Sequence, residues 1–460
     1  MSRIRSNDDT AVERVLRGLR DEIIDGIRPG GQHLVERVIA EQYEVSRLPV
    51  RIAMRRLVLD GLVDQFPRRG SFVRVMTRSD VADVAELHSA FDRLAVRRAA
   101  VRRSTADVER FRRDLDAAEA AEARGDHAEL ARVGVQFRSD AYRASRSRPL
   151  LEIHDVLLCR TQRMFALAEP SVTAPLPYYR RFLSAFERGD SDAVEAAMAE
   201  FSDHLRAARQ ERMLRRLDGA LASQAADTWS AERERLAALA AEPAQESGAS
   251  DECTDAQTVL DGVRADIIGG RRAPGVVLSE RTLAQEYGVG RIPVRQAIDA
   301  LALEGLATVG TSRVSARVRA VPAEDAADFF DLCVTLDVLA SRLAAQRPTR
   351  EELALLEQCL LAEERTPLTH AEELLDRMFA FRRQVYVMAE NRLLLEIGRL
   401  VEARMRMLVA DAPLAAQVKR GHRFLFEAIA SRETGLAEAV YLSVFTHPLQ
   451  RDRLVDGPAD

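Results

Sequence analysis

Cysteine, lysine and long apolar runs are all scarce in this 460-residue chain. The four cysteines have no C-x-x-C spacing, which argues against a disulfide framework or a zinc site and suits a reducing compartment. No run approaches the ~18 apolar residues of a membrane span, and the first residues have no apolar signal-peptide core. We therefore expect a cytoplasmic protein that does not associate with membranes. Lysine occurs once, at Lys419, and we attribute the excess of arginine to the base composition of the genome.

The overall composition is that of a globular protein with several domains. Hydrophobic residues make up 47% of the chain and charged residues 30%, and the length suits about three or four domains. The net charge is only -5. Any contact with nucleic acid therefore has to come from local basic patches rather than from the charge of the whole chain.

A long internal repeat is the most informative feature. Residues 35–63 read VERVIAEQYEVSRLPVRIAMRRLVLDGLV, and residues 279–307, which lie 244 positions later, read SERTLAQEYGVGRIPVRQAIDALALEGLA. The segments RPLLEI at 148–153 and RLLLEI at 392–397 have the same offset. A period this long exceeds the roughly 20–50 residues of a solenoid repeat and indicates a duplicated set of domains.

Each copy opens with the pattern of a small helical domain that ends in a hairpin. In the first copy, apolar spacing predicts helices at 11–26, 36–43 and 49–60, with Pro49 as the first residue of the third helix. The following segment QFPRRGSFVRV predicts two strands around the basic turn at 68–70. This order predicts a winged helix-turn-helix.

Helical periodicity without a strand signal continues to about residue 221 and predicts a bundle of six or seven helices. A segment rich in Pro, Ser, Gly and acidic residues then predicts a linker. The expected fold is mainly α, with two winged helix-turn-helix domains that are each followed by an all-α bundle and arranged as a pseudo-dimer. We place the first winged helix at 10–76, the first bundle at 77–235, the linker at 236–255, the second winged helix at 256–319 and the second bundle at 320–455.

The motif that the two copies share runs from the second helix through the turn and the third helix to the residues just after it. In the first copy its residues are Glu36, Arg37, Ala40, Val45, Ser46, Arg47, Pro49, Val50, Arg51, Ala53, Leu57, Gly61 and Leu62; in the second they are Glu280, Arg281, Ala284, Val289, Gly290, Arg291, Pro293, Val294, Arg295, Ala297, Leu301, Gly305 and Leu306. This pattern resembles the winged-helix signature of the GntR family of bacterial transcription regulators. The helical domains resemble the FCD type of effector domain found in the FadR subfamily.

The third helix carries the candidate DNA-reading residues. Val50, Ala53, Leu57 and Leu59 can face the core, whereas Arg51 and Arg55 share the opposite face. Arginine suits the major groove because it pairs with guanine through two hydrogen bonds, although exposed arginines can also form an ordinary solvated surface. Together with the resemblance, this gives the candidates Arg37, Ser46, Arg47, Arg51, Arg55, Arg69 and Gly70 in the first copy and Arg281, Arg291 and Arg295 in the second.

The second copy has lost part of this pattern. Gly290 and Asp299 stand where the first copy has Ser46 and Arg55, and the matching wing segment lacks the glycine at its turn. An aspartate on the reading face should repel phosphate, and each lost phosphate contact reduces the salt dependence of binding. We expect two unequal DNA-binding heads and an imperfect palindrome as their operator.

The resemblance also implies a place for an effector or a metal in each bundle. FCD domains that bind metal use an aspartate, a histidine four residues later and two further histidines. The matching positions here are Gly134, Arg138, Tyr179 and, displaced by about one turn, His204 in the first bundle, and Met378, Arg382, His422 and, similarly displaced, His447 in the second. Because this set has too few metal ligands, no metal and no cofactor are expected.

Two recurring arginines remain as candidates for an anionic effector such as an organic acid. The candidate effector residues are Arg138, Tyr179, His204, Arg382, His422 and His447, with a structural ion pair as the alternative for the arginines. Arg160 and Arg404 also recur and carry the same two interpretations. Tyr142 and Tyr386 are interpreted as packing residues; His33, His88, His127, His154 and His370 are interpreted as structural or exposed residues without clustered partners.

Two functions are compatible with these features, and a third, in which the chain is an enzyme, is not expected. The favoured one is a DNA-binding transcription regulator, a repressor by family tendency, that binds a double-stranded operator as an intramolecular pseudo-dimer or as a homodimer of tandem chains. A second is a ligand-independent DNA-binding protein whose bundles serve only dimerisation. The third, an enzyme that holds pyridoxal phosphate, would need Lys419 as its Schiff-base lysine, and this residue lies in a predicted helix without phosphate-binding glycines.

Overall fold

The computed structural model divides the chain into two compact units, residues 1–225 and 226–460. It describes residues 11–66, 70–167, 176–202, 251–268, 271–273, 275–303, 305–308, 316–319, 323–409 and 412–445. Each unit has a small winged helix-turn-helix, called here head 1 or head 2, followed by a helical bundle, called bundle 1 or bundle 2. The mainly α fold and its duplication are as the sequence predicts.

Head 1 contains three helices and a three-stranded sheet. Its elements are α1 (Ala11–Ile24), β1 (His33–Leu34), α2 (Glu36–Gln42), α3 (Arg47–Leu59), β2 (Val63–Phe66) and β3 (Gly70–Val73). The strands are antiparallel in the order β1-β3-β2, with Val63 opposite Val73 and Phe66 opposite Gly70. The short strand β1 was not predicted, since two residues carry no periodic signal.

The start of α3 differs from the prediction. The helix begins at Arg47, after Ser46 in an extended conformation at φ -70° and ψ 166°, so Pro49 is its third residue rather than its first. Proline is tolerated there because amide groups of the first turn have no acceptor within the helix. As a consequence, Arg47 lies at the N-terminus of the helix.

The apolar core of head 1 forms where α1 and α3 pack on the sheet. Val15, Leu19 and Ile23 repeat at every fourth position of α1 and are fully buried, as are Val50 and Leu57 of α3. Burying a side chain of this size stabilises a fold by about 1.5–3 kcal/mol. This packing fixes which side of α3 remains available to a partner.

Bundle 1 follows as α4 (Arg78–Arg102), α5 (Thr105–Ala123), α6 (His127–Ala144), α7 (Arg148–Leu167), α8 (Leu176–Arg188) and α9 (191–202). Capping boxes precede α4 at Thr77 and α5 at Ser104, so the local sequence determines where each of these helices begins. Aromatic rings from α5, α6 and α8, including Phe111, Phe137 and Phe182, fill its core. The predicted helical segment beyond 202 lies outside the described residues.

Unit 2 repeats this order. Head 2 contains α10 (Asp251–Ile268), β4 (Val277–Leu278), α11 (Glu280–Tyr287), α12 (Arg291–Leu303), β5 (Ala307–Thr308) and β6 (Ala316–Val318), with strand order β4-β6-β5. Bundle 2 contains α13 (Ala323–Gln346), α14 (Arg350–Arg365), α15 (Ala371–Met388), α16 (Arg392–Val409), α17 (Ala412–Ala430) and α18 (Thr434–Phe445).

Helix α10 begins within the segment that the sequence assigned to the linker at 236–255. Its buried residues Val259, Val263 and Ile267 recur at every fourth position, and the helix extends upstream of them to Asp251. A helix can continue past its last core contact because each added residue closes one more backbone hydrogen bond. Among the helices described, none is long and apolar enough to cross a membrane.

Candidate nucleic-acid interface and buried bundle clusters

Helix α3 presents its arginines on the side opposite the core of head 1. Arg51 keeps 50% of its side chain exposed, Arg47 is exposed, and Arg55 is half-buried. Val50, Ala53 and Leu57 face inward as predicted; the side chain of Leu59 lies outside the described part of the structure. The arginine face of α3 is therefore accessible to solvent.

Two exposed arginines of head 1, Arg51 and Arg37, make weak surface ion pairs. Arg51 Nη2 lies 3.3 Å from Glu36 Oε2, and Arg37 Nη1 lies 2.9 Å from Glu41 Oε1. Exposed ion pairs of this kind contribute ~0–1 kcal/mol, so a phosphate or a base can replace them at little cost. The hydroxyl of Ser46 makes no cap hydrogen bond within the described part of head 1, which leaves it available at the N-terminus of α3.

The wing of head 1 depends on a glycine. Gly70 has a φ of +93°, and a Cβ atom placed there would lie 2.7 Å from His33 Nε2. His33 itself stacks on Phe72 with ring centroids 4.7 Å apart. A side chain at position 70 would therefore disturb both the turn and this stack. Arg69, the other predicted wing residue, lies outside the described residues.

In head 2 the corresponding arginine is held more firmly. Arg295 donates from Nε and Nη2 to the two carboxylate oxygens of Glu280 at 2.8 and 2.9 Å. The Arg295 guanidinium lowers the pKa of Glu280. Arg281 and Arg291 are exposed, and Asp299 lies one turn beyond Arg295. Head 2 keeps three of the predicted arginines, but a carboxylate engages one of them; the second wing turn, at 309–315, lies outside the described residues.

Arg138 is buried in bundle 1 and paired with a carboxylate from another helix. Its Nε donates to Asp92 Oδ2 of α4 at 2.9 Å, and the Tyr142 hydroxyl donates to Asp92 Oδ1 at 3.0 Å. Burial alone would raise the pKa of Asp92, but Arg138 and His88 hold it well below its usual range. The arginine that we considered for an anionic effector thus already has an internal anion.

Two histidines adjoin this pair. His88 Nε2 lies 2.7 Å from Thr161 Oγ1, and His154 Nε2 lies 3.0 Å from Ser139 Oγ. Burial lowers the pKa of His154 to about 3, so its imidazole is neutral at physiological pH. The prediction that His88 and His154 lack clustered partners is wrong. Thr161 and Ser139 lie on other helices and leave no local pattern, whereas Asp92, 3.5 Å from His88 Nδ1, lies one turn along the same helix.

Bundle 2 contains a related cluster around Asp337 of α13. Arg382 Nε donates to Asp337 at 2.8 Å, and the hydroxyls of Tyr386 and Tyr441 donate to the same carboxylate at 2.5 and 2.7 Å. Arg382 Nη2 also donates to the Tyr386 hydroxyl at 2.7 Å, with its guanidinium 4.4 Å from the ring centroid. Tyr142 and Tyr386, which we interpreted as packing residues, therefore also serve as hydrogen-bond donors to buried carboxylates.

His422 also has a buried acidic partner in bundle 2. Its Nδ1 lies 2.8 Å from Oε2 of Glu363, which is fully buried. Together with Arg382 and Tyr441, His422 lines a cavity of about 20 Å³, room for roughly one water molecule. In bundle 1 the position matching His422 is Tyr179, whose ring packs against Phe137. The structure thus brings Arg382 and His422 to one cavity, whereas His204 and His447 lie outside the described residues.

The side chains at the positions of the family's metal ligands do not fit a divalent cation. Gly134 and Met378 offer no carboxylate, and Arg138 and Arg382 place a cation where a ligand would be needed. Within the described residues, no three His, Cys, Asp or Glu side chains form a group suited to a metal.

Lys419, the lysine that a pyridoxal-phosphate enzyme would need, has a structural contact instead. It donates to the carbonyls of Glu364 and Thr366 at 3.0 and 2.8 Å and so caps the end of α14.

Arg160 of α7 lies between bundle 1 and head 1. Its Nε donates to the backbone carbonyl of Asp60 at 3.2 Å, just after α3. Arg404 occupies the matching place against Gly305, and its guanidinium lies 4.7 Å from the Phe329 ring centroid. These contacts favour a structural interpretation of both arginines.

The sequence did not predict the carboxylates of these clusters, Asp92, Asp337 and Glu363, or the role of Arg160. Their contacts with the candidate residues join elements that are distant in the sequence.

Family models match both halves of the chain. The model described as "Bacterial regulatory proteins, gntR family" matches residues 11–73 and 255–318, which are the two heads. The model of the FCD domain matches residues 83–207 and 328–446, which is more than half of the chain. The two copies thus consist of the same pair of domains.

Individual relatives match about one unit of this chain. It is 26% identical over 206 residues to the HTH-type transcriptional repressor RspR of Escherichia coli, covering 43% of this chain and 90% of that protein. It is 33% identical over 135 residues to the Nta operon transcriptional regulator of Aminobacter aminovorans, covering 29% of this chain and 63% of that protein. Among solved structures, E. coli McbR/YncC is 20% identical, with 45% of this chain and 100% of that chain covered and a TM-score of 0.39.

Proposed function

The chain belongs to the gntR family of bacterial regulatory proteins, with two FCD domains, and from this we propose that one chain binds one operator with both heads. The operator would be an imperfect palindrome in double-stranded DNA. Relatives that match a single unit include RspR, which is named a repressor, and this supports repression as the mode of action. Such a role belongs in the cytoplasm, where bacterial DNA lies.

The observation that carries this proposal is the arginine face of the two reading helices. Arg47 and Arg51 of α3 recur as Arg291 and Arg295 of α12, and all four are exposed. A helix N-terminus with arginines suits the major groove, where phosphates position the helix and guanine edges are read. Because both helices belong to one polypeptide, we infer that the tandem chain supplies the pair of heads that other helix-turn-helix proteins obtain by dimerisation.

We propose unequal heads, with head 1 contributing more of the affinity. Arg51 is held by one contact of 3.3 Å to Glu36, whereas Arg295 is held by two shorter bonds to Glu280. Asp299 adds a negative charge to the reading face of head 2, where head 1 has Arg55. Half-sites bound by such heads should differ in sequence and in strength.

Selection of genomic fragments on the immobilised full-length protein, followed by footprinting, tests this function. We expect a protected site with two half-sites of unequal occupancy on one face of the duplex. Protection of one half-site only would contradict reading by both heads. Binding without sequence preference, at a salt concentration that suppresses nonspecific contacts, would contradict the regulator function itself.

For the effector we propose bundle 2, where Arg382 and His422 line a common cavity. Because the cavity has room for roughly one water molecule and Asp337 already neutralises Arg382, an organic acid would have to widen the cavity and either displace this carboxylate or bind through His422 and Tyr441. The test is a thermal-shift screen of organic acids on the full chain. A ligand that binds only the folded state stabilises it by RT ln(1 + [L]/Kd), so the melting midpoint keeps rising with ligand concentration beyond saturation.

A second function is favoured by the internal pairing of the bundle arginines. Arg138 and Arg382 are both satisfied by buried aspartates, so the bundles can be stable without any ligand. The chain would then be a ligand-independent DNA-binding protein whose bundles serve only association. Failure of every organic acid to shift the melting midpoint, together with normal operator binding, would favour this second function.

A further inference from the structure

Helix α7 belongs to bundle 1 but contacts the two long helices of head 1. Cys159 is buried among the apolar side chains of head 1, next to residues of α1 and α3. Arg160 and Arg163 follow on the same side, and both are more than nine-tenths buried. Charged side chains are rarely buried to this extent unless they have partners, and both arginines have one in head 1.

Both arginines bind backbone carbonyls at the C-terminal ends of head helices. Arg163 Nη1 donates to the carbonyl of Ile23 at 2.6 Å, at the end of α1. Arg160 Nε donates to the carbonyl of Asp60 at 3.2 Å, directly after α3. The last carbonyls of a helix have no partner within it, and the partial negative charge there favours a cation. One bundle helix thus caps both the first helix and the reading helix of head 1.

Glycine at the end of α3 makes room for this contact. Gly61 has a φ of +69°, and a Cβ atom added there would lie 2.1 Å from Cζ of Arg160. The Asp60 side chain, also buried, accepts from Arg20 of α1 at 2.6 Å. The junction therefore joins α1, α3 and α7 through charged groups.

The opposite side of α7 reaches the buried cluster of bundle 1. His154 bonds Ser139 and stacks on Tyr142 with centroids 4.3 Å apart, and Thr161 bonds His88. The same helix is thus fixed in the bundle at one side and to the head at the other. Its two sets of contacts interleave along fewer than three turns, from 154 to 163.

The second unit retains only part of this junction. Arg404 matches Arg160 and lies against Gly305, the counterpart of Gly61. At the position that matches Arg163, however, the sequence has Met407, which carries no charge and no hydrogen-bond donor. Of the two guanidiniums, the sequence of unit 2 therefore keeps the one that matches Arg160 and not the one that matches Arg163.

We propose that Arg160 and Arg163 are positioning residues that fix the reading helix α3 relative to bundle 1, and that head 2 is held less firmly because Met407 replaces the second of them. This inference rests on the proposed function for its effect on DNA binding. It assigns Arg163 a role in preorganising head 1 for a two-half-site operator. A head that is fixed in its binding orientation spends no time in orientations that cannot bind DNA, so its apparent affinity is not reduced.

Arg163→Met, which copies the residue of the second unit, tests the proposal in the full chain. Arg148→Met is the matched control, since Arg148 lies on the same helix with 61% of its side chain exposed. In the DNA-free protein, hydrogen exchange at amides 25–28 should be about ten-fold faster in Arg163→Met, because a charge-assisted cap is lost. The control should exchange like the wild type, and unchanged exchange in Arg163→Met would overturn the capping role whatever the protein binds.

The DNA arm separates positioning from simple stabilisation. Two duplexes from the footprinted operator are compared, one intact and one with the half-site of head 2 scrambled. We expect Arg163→Met to weaken binding to the intact duplex about ten-fold and to the scrambled duplex less than about two-fold, as loss of preorganisation requires. Equal weakening on both duplexes, or no weakening on either, would overturn the positioning role.

The two arms also distinguish failure of this inference from failure of the proposed function. If the wild type shows no sequence preference, the DNA function fails, and hydrogen exchange still decides the capping role. Should Arg163→Met not fold, Arg163→Lys replaces it, because lysine keeps the cation at the helix end but loses the planar fork. Arg163→Lys should then lie between wild type and the expectation for methionine in both assays, and wild-type behaviour in both would overturn the proposal.

Discussion

Removal of the Arg51 guanidinium should weaken operator binding far more than it destabilises the protein. The side chain is 50% exposed, and its ion pair to Glu36 at 3.3 Å is worth ~0–1 kcal/mol in the free protein. A bidentate contact between arginine and guanine is worth about 1–3 kcal/mol. We therefore expect Arg51→Ala to reduce operator affinity by about 5- to 150-fold and to shift the melting midpoint by no more than about 2–4 °C.

The matching change in head 2 gives the internal comparison. Arg295 must break two hydrogen bonds to Glu280 before it reaches DNA, and Asp299 on the same face opposes phosphate. For Arg295→Ala we expect a loss below about ten-fold, at the lower end of the range for such contacts. The assay is a fluorescence anisotropy titration of a labelled operator duplex at several salt concentrations. Arg132→Ala, on the exposed surface of bundle 1, is the control.

Equal losses for Arg51→Ala and Arg295→Ala would refute the unequal contributions of the heads. An unchanged affinity for Arg51→Ala would refute the assignment of α3 as the reading helix. If Arg51→Ala lowers the free energy of unfolding by as much as it lowers the free energy of operator binding, the arginine stabilises the fold and the argument from exposure fails.

Four further predictions concern head 2 and the two bundles. Asp299→Arg should steepen the dependence of log affinity on log salt by roughly one unit; an unchanged slope would mean that α12 does not approach phosphates. Arg382→Met should lower the unfolding free energy by about 3–5 kcal/mol in urea titrations, because Asp337 stays buried and unpaired, and adding Asp337→Asn should recover part of it. Burial lowers the pKa of His154 to about 3, so the unfolded chain takes up a proton below about pH 6.5 that the folded chain refuses. Stability from this group falls by about 2–3 kcal/mol between pH 6.5 and 4.5, a loss that His154→Phe should remove; Asp114, with its pKa raised to about 7, works in the opposite direction and is common to both proteins. Finally, EDTA or added zinc should leave the melting midpoint unchanged, and a rise with zinc would contradict the misfit of the metal-ligand positions.

The sequence predicted the heads well because their patterns are local. Apolar residues at every third or fourth position of α1 and α3 define the core side, and the arginines then fall on the other side by geometry alone. The start of α3 was misplaced by two residues, since a proline is compatible with any position of the first helical turn.

The buried clusters could not be predicted from the sequence, because their pairs are not local. Arg138 pairs with Asp92 from a separate helix, and Arg382 pairs with Asp337 in the same way. No spacing within one helix signals such a pair, because it depends on how two helices pack. The recurrence of the arginines marked the place, but only the carboxylate opposite each one decides between an effector site and a structural ion pair.

The stoichiometry of the operator complex tests most directly whether one chain supplies both heads. Sedimentation or light scattering of the wild type on a short duplex with the two footprinted half-sites gives the mass of the complex. We predict one chain of 51.2 kDa per duplex. Two chains on a duplex that carries only these two half-sites would contradict the tandem reading.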